Sequence, residues 1–282
     1  MNGERIIKSL GVKKGKLLFF GGVYSNLQSL EALQKWAVIN DYLPENIFCT
    51  GDVLGYCAQP VECISLLRKW GVHTIAGNVE LQLRKGEKDC GCDFRSGSRC
   101  DLFSQTWYAY TQRKLNEPSI AWLHTLPHHI RFMFAGRAFL IVHGSWFNTA
   151  EFIFRSTPWA IKQKNFDVTN ADVIIAGHCG LPFVDAQDGK HWLNAGVIGM
   201  PANDGTERVW FVTIQEGEKE QLACQFQYYR YDNNTASIQM RKNGLPQSYA
   251  DTLISGIWDN VEILPKEEII QGGKALHFEK QV

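Results

Sequence analysis

Phe48-Cys49-Thr50-Gly51-Asp52-Val53-Leu54-Gly55-Tyr56 is the stretch on which the reading of this chain turns. An apolar run, Ile47 to Cys49, stops at a glycine and a single carboxylate follows at once. That pattern puts Asp52 where a strand ends and a loop begins, the usual place for ligands in open α/β sheets. Three further blocks are built alike: Gly77-Asn78-Val79-Glu80, Val142-His143-Gly144 and Gly177-His178-Cys179-Gly180. One aspartate, one asparagine and two histidines offer mixed oxygen and nitrogen donors, which suit a hard or borderline divalent cation. Singly, each has a plainer reading. Asp52 and Asn78 are ordinary turn residues, Glu80 can cap the helix that follows, and a lone buried histidine is more often structural. The four taken together favour a metal site.

This series resembles the calcineurin-like metallophosphoesterases, whose ordered blocks read D-x-H, G-D, G-N-H-D/E, a lone H, and G-H-x-H. The likeness runs from Leu17 to Gly199 and continues loosely through Trp210. It implies a four-layer α/β/β/α sandwich of two mixed sheets and hydrolysis of a phosphate mono- or diester. It also implies metal ligands at Asp52, Asn78, His143 and His178, with Asp52, Asn78 and His143 in catalytic roles. The first block departs: Gly22-Val23-Tyr24 stands where D-x-H belongs, and Gly180 where the second histidine of G-H-x-H belongs. In the family these missing residues hold one metal, bridged to the other through the G-D aspartate. The ligands of the second metal remain. The resemblance therefore implies a one-metal or remodelled site holding manganese, zinc or iron. Val79 replaces the family's proton-donating histidine, leaving that role empty or moved. The alternative is a catalytically silent relative that binds a phosphorylated ligand or partner through the old cleft.

Composition bounds the rest. With 282 residues, 45% hydrophobic and 21% charged, the chain can bury a large core. A net charge of +0 gives no electrostatic reason to expect nucleic acid or an anionic membrane. The partner that the resemblance implies is a phosphorylated small molecule or other phosphoester. Residues 1–16 have no apolar core of the kind a signal peptide needs, and no apolar run is long enough to span a membrane. Eight cysteines without a secretory signal read as reduced thiols or metal ligands, and a cytoplasmic location is expected.

Along the chain, strands and helices alternate up to Asn78, which predicts βαβ units. Residues 85–101 read as an inserted loop. A run of short strands follows, as far as Tyr231. The expected organisation is a domain over 1–231 and a helical tail, 232–282, packed on it. Two loops carry further candidates. Gly21, Gly22, Tyr24, Ser25 and Asn26 form either a tight strand-to-helix connection or an anion cradle, with a phosphate close to backbone N–H groups at a helix N-terminus. Cys90, Cys92 and Cys100 could hold a second metal with a fourth ligand, form a redox pair, or be solvent-facing free thiols, and they lack C-x-x-C spacing. Cys57 and Cys179 flank Asp52 and His178, and a thiolate there would favour zinc or iron.

Overall fold

The computed structural model describes residues 5–92, 94–217 and 222–279, folded as two stacked sheets with helices on the outer faces. One sheet has five strands in the order β11 (Leu222–Tyr229), β10 (Val209–Glu216), β2 (Leu17–Phe20), β3 (Ile47–Cys49) and β4 (His73–Thr74). The other has six: β1 (Ile7–Val12), β5 (His129–Phe134), β6 (Arg137–Ile141), β7 (Val173–Ala176), β9 (Lys190–Ala195) and β8 (Pro182–Gln187). Strands β2, β3 and β4 are parallel, as are β6, β7 and β9 and the edge pair β1 and β5, while β10 and β2, β10 and β11, β5 and β6, and β8 and β9 pair antiparallel. Both sheets are therefore mixed, and the architecture is the α/β/β/α sandwich.

Strand periodicity explains why β2 is apolar throughout. Leu17 and Phe19 face the second sheet, whereas Leu18 and Phe20 face the helices α1 (Leu27–Ile39) and α2 (Pro60–Trp70). Between the sheets, Phe19, Phe48, Phe132 and Phe139 stack in series at centroid spacings of 5.1, 5.0 and 5.2 Å. Each such ring withdrawn from water contributes roughly 2–3 kcal/mol. The loop after β2 enters α1 through Asn26, whose Oδ1 accepts from the Ser29 N–H at 3.2 Å.

Three features differ from the sequence reading. Strand β1, unrecognised from sequence, pairs parallel with β5 at an exposed edge, where polar residues hide the strand pattern. Helix α4 (Arg99–Lys114) starts inside the predicted 85–101 loop, because Ser98 caps it by accepting from the Asp101 N–H. Strands β10 and β11, read from sequence in one run of short strands with β8 and β9, return to the first sheet beside β2.

The remaining helices are α3 (Asn78–Lys85), α5 (Glu117–Thr125), α6 (Trp159–Thr169), α7 (Asn233–Lys242), α8 (Gln247–Ser255) and α9 (Lys266–Ile269). Helices α7 and α8 bury Met240, Ala250 and Leu253 against the layer that covers the first sheet. The chain then crosses the sandwich edge from Trp258 to Leu264, and Phe278 stacks on Phe226 at 4.1 Å. Among the described residues, no helix is long and apolar enough to cross a membrane.

Candidate metal centre

Asp52 and Asn78 follow β3 and β4 of one sheet; His143 and His178 follow β6 and β7 of the other. The centre thus forms where the carboxyl ends of parallel strands from both sheets meet. Two glycines allow this closure. A Cβ on Gly51, at φ +97°, would meet Gly77 N at 2.6 Å and His143 Nδ1 at 2.8 Å, and one on Gly77 would collide with the Asp52 carboxylate. Asp52 itself sits in the left-handed region at φ 51°, which aspartate tolerates better than most residues.

His143 Nδ1 donates to the Thr50 carbonyl at 2.7 Å, so Nε2 presents its lone pair inward. That nitrogen lies 3.2 Å from Asp52 Oδ2, 3.1 Å from Asn78 Oδ1 and 3.1 Å from His178 Nδ1. The Asn78 amide is turned this way because its Nδ2 donates to the Cys90 carbonyl at 2.9 Å and Cys92 Sγ at 3.2 Å. Donor atoms of Asp52, His143 and His178 lie within 4.8 Å of one another. Asp52 Oδ1 and His178 Nε2 are buried without a hydrogen-bond partner. With the hydrogen of the neutral His178 on Nε2, the Asp52 carboxylate, Asn78 Oδ1, His143 Nε2 and His178 Nδ1 are acceptors that carry no hydrogen, and only a proton or a metal cation can serve them together. The donor set fits a divalent ion with mixed oxygen and nitrogen preference, manganese, zinc or iron.

The surrounding electrostatics act in the same direction. Burial pushes the Asp52 carboxyl up, but His143 outweighs it and holds it below the usual carboxylate range. Burial alone would lower His143, and Asp52 reverses this and raises it. Burial and the adjacent His143 push His178 down to about 3, which keeps it neutral. A proton and a metal therefore compete for His143 Nε2. Metal affinity is expected to climb by about tenfold per pH unit until the raised His143 value, above 6.5, is passed. Competition against a chromophoric chelator, repeated across pH, measures it; a flat profile would remove His143 from the ligand set.

Glu80 is the residue whose reach the sequence understated. Beyond capping α3 through the Gly77 N–H at 2.8 Å, it accepts from the N–H groups of Asp52 at 2.9 Å and Leu54 at 3.0 Å. One buried carboxylate thus ties the Asp52 loop to the start of α3. Burial and the neighbouring Asp52 push its carboxyl up to about 7.

The profile of the calcineurin-like phosphoesterase superfamily domain matches residues 26–217, more than half of the chain. The chain belongs to that superfamily. A metallophosphoesterase from Sphaerobacter thermophilus is 22% identical, with a TM-score of 0.67 over 87% of this chain and 100% of its own. A hypothetical protein from Pyrococcus horikoshii OT3 has a TM-score of 0.70 at 17% identity, covering 88% and 99% of the two chains. An uncharacterised protein of Methanocaldococcus jannaschii is 23% identical over 261 residues, 86% of this chain and 99% of that one.

In this calcineurin-like phosphoesterase the positions that depart from the family pattern are occupied by rings. A Cβ on Gly22 would meet the Tyr24 ring at 2.6 Å, so tyrosine fills the space where a longer side chain would stand. Trp258 lies over Gly180, its ring 3.4 Å from the position of a Cβ there. The anion cradle expected at Gly21, Gly22, Tyr24, Ser25 and Asn26 is not open. The N–H groups of Tyr24, Ser25 and Asn26 donate to the carbonyls of Asp52, Val53 and Val23 at 3.1, 2.8 and 3.0 Å. The Ser25 hydroxyl and Asn26 amide are likewise engaged within the protein, with Gly55 and with Gly199 and Tyr231.

The metal site that is one reading of Cys90, Cys92 and Cys100 does not form among the described residues either. Asp52, His143 and His178 are their one group of at least three His, Cys, Asp or Glu donors. Cys100 Sγ donates to Asn260 Oδ1 at 3.0 Å, and Cys90 and Cys92 orient Asn78. Every cysteine is a free thiol. Val79 is buried in the core cluster that packs the helices, and its side chain has no proton to donate.

Proposed function

We propose that the chain is a metal-dependent phosphoesterase working with a single divalent ion held by Asp52, Asn78, His143 and His178. The observation that carries this reading is the convergence of hydrogen-free acceptors on one point, with Asp52 Oδ1 left without a partner. A silent relative would have no reason to keep so costly a cluster buried. When bound, the ion polarises a phosphoryl oxygen and activates water.

The protein's own groups do the rest. Glu80 fixes the Asp52 backbone, the Cys90–Cys92 turn aims Asn78, and the Thr50 carbonyl sets the His143 tautomer. Phe152 stacks on His178 at 4.3 Å and shields it from water. The rings of Tyr24 and Trp258 beside Gly22 and Gly180 argue for one ion.

Elemental analysis and hydrolysis of an activated aryl phosphodiester test this together. The expected result is one ion per chain, activity abolished by a chelator and restored by manganese. A well-folded protein that takes up no ion and hydrolyses nothing would instead establish the silent relative.

A further inference from the structure

Beside the tetrad lies a cavity whose walls are unlike those of a site for highly charged substrates. Tyr24, Tyr56 and Tyr249 form a continuous ring surface, with centroids 4.4 and 5.2 Å apart, and Trp258 and Phe152 complete it. Asp52 and Asp259 are the only acidic groups lining it, and no lysine or arginine does so among the described residues. Asp259 is already paired, accepting from Arg99 at 2.8 Å.

The charge balance is simple. A divalent ion and the Asp52 carboxylate sum to one positive charge. A phosphodiester brings one negative charge and neutralises the centre, a monoester dianion leaves one in excess, and a polyphosphate leaves more. With no cation in the wall, excess charge remains uncompensated in a desolvated space. Glu80, behind Asp52, can only make the centre more negative, which sharpens the same ranking.

Resting on the phosphoesterase reading above, we propose that this cavity takes the flat aromatic substituent of a monoanionic phosphodiester and discriminates against dianionic monoesters and polyphosphates. The rings that fill the departed half of the centre are then its specificity surface. The cavity encloses about 70 Å³, well below the roughly 300 Å³ of small ligand pockets, so its roof must shift for entry.

That roof is Trp258 to Ile263. It is fastened at the start of α4 by the Arg99–Asp259 pair, by Cys100 to Asn260, and by Glu262, which accepts from the Arg99 and Cys100 N–H groups at 3.3 and 3.1 Å. Arg99 is half exposed, so water can replace its contacts when the segment lifts.

Calorimetric titration of the manganese-loaded full chain with unreactive probes separates charge from shape. Methyl(phenyl)phosphinate is monoanionic and aromatic; phenylphosphonate carries the ring with more charge; dimethylphosphinate carries the charge without the ring; methylenediphosphonate is polyanionic. The first is expected to bind about tenfold more tightly than each of the others. Trp258→Leu should erase the advantage over dimethylphosphinate, and Trp258→Phe, which keeps a ring, should preserve most of it.

Tighter binding of phenylphosphonate or methylenediphosphonate, or an aryl preference untouched by Trp258→Leu together with Tyr249→Leu, would overturn the proposal. Hydrolysis of polyphosphates in preference to aryl diesters would overturn it while leaving the phosphoesterase reading intact. Probe binding as expected, with no ester hydrolysed, would overturn that reading alone.

Discussion

Asp52→Asn is expected to strip the centre of its ion and lower phosphodiester hydrolysis on the order of a thousandfold, since several kcal/mol of Lewis-acid stabilisation go with the metal. The substitution is nearly isosteric. The loop geometry should survive it, because Glu80 grips the Asp52 backbone and not its side chain. The new amide can donate to His143 Nε2, 3.2 Å from Asp52 Oδ2 in the parent. Elemental analysis and a thermal melt on the same sample decide the matter. Lost metal with an unchanged metal-free melt is the expected pair of results. Full activity with a full complement of ion would show that the aspartate is not a ligand.

Glu80→Ala should do the reverse and strike the fold before the chemistry. It orphans the buried N–H groups of Asp52, Leu54 and Gly77 together. At about 1–3 kcal/mol for each unsatisfied group, the loss approaches 5 kcal/mol, a large share of the roughly 5–15 kcal/mol that holds a domain together. The metal-free melting temperature is expected to fall by more than about 10 °C, or the protein to fail to accumulate. A shift of only a degree or two would mean that water reaches these groups and that the clamp is dispensable.

The contrast between the two variants reflects what was legible in the sequence. Asp52, Asn78, His143 and His178 stand out because each follows an apolar run or a glycine, so strand ends and polar donors can be read off together. The βαβ units follow from the same runs, and the sandwich from the family resemblance. What escapes is whatever depends on how backbone groups are spent. The Gly21–Asn26 segment reads from sequence as either a tight connection or an anion cradle; the N–H groups of Tyr24, Ser25 and Asn26 are consumed by neighbouring carbonyls, and no residue type announces that. The cysteines of the 85–101 segment suggest a metal by composition, whereas their sulfur atoms aim an amide and bond to the tail. Tyr249 and Trp258 lie far along the chain, beyond the family blocks, and only folding brings them over Gly180 and Asp52. Strand β1 is hidden because an edge strand facing water has no need of an apolar face.

The backbone around the cleft has a consequence for anyone who would engineer this protein. Tyr24, Ser25, Asp52 and Tyr56 all adopt left-handed conformations, at φ 53, 57, 51 and 51°. Each costs of order 1–2 kcal/mol relative to glycine or to a relaxed loop. Directed evolution for heat tolerance alone would therefore find its easiest gains by relaxing these positions, and would discard the cleft while improving the scaffold. Libraries built on this chain need a selection that rewards metal retention as well as survival of heating.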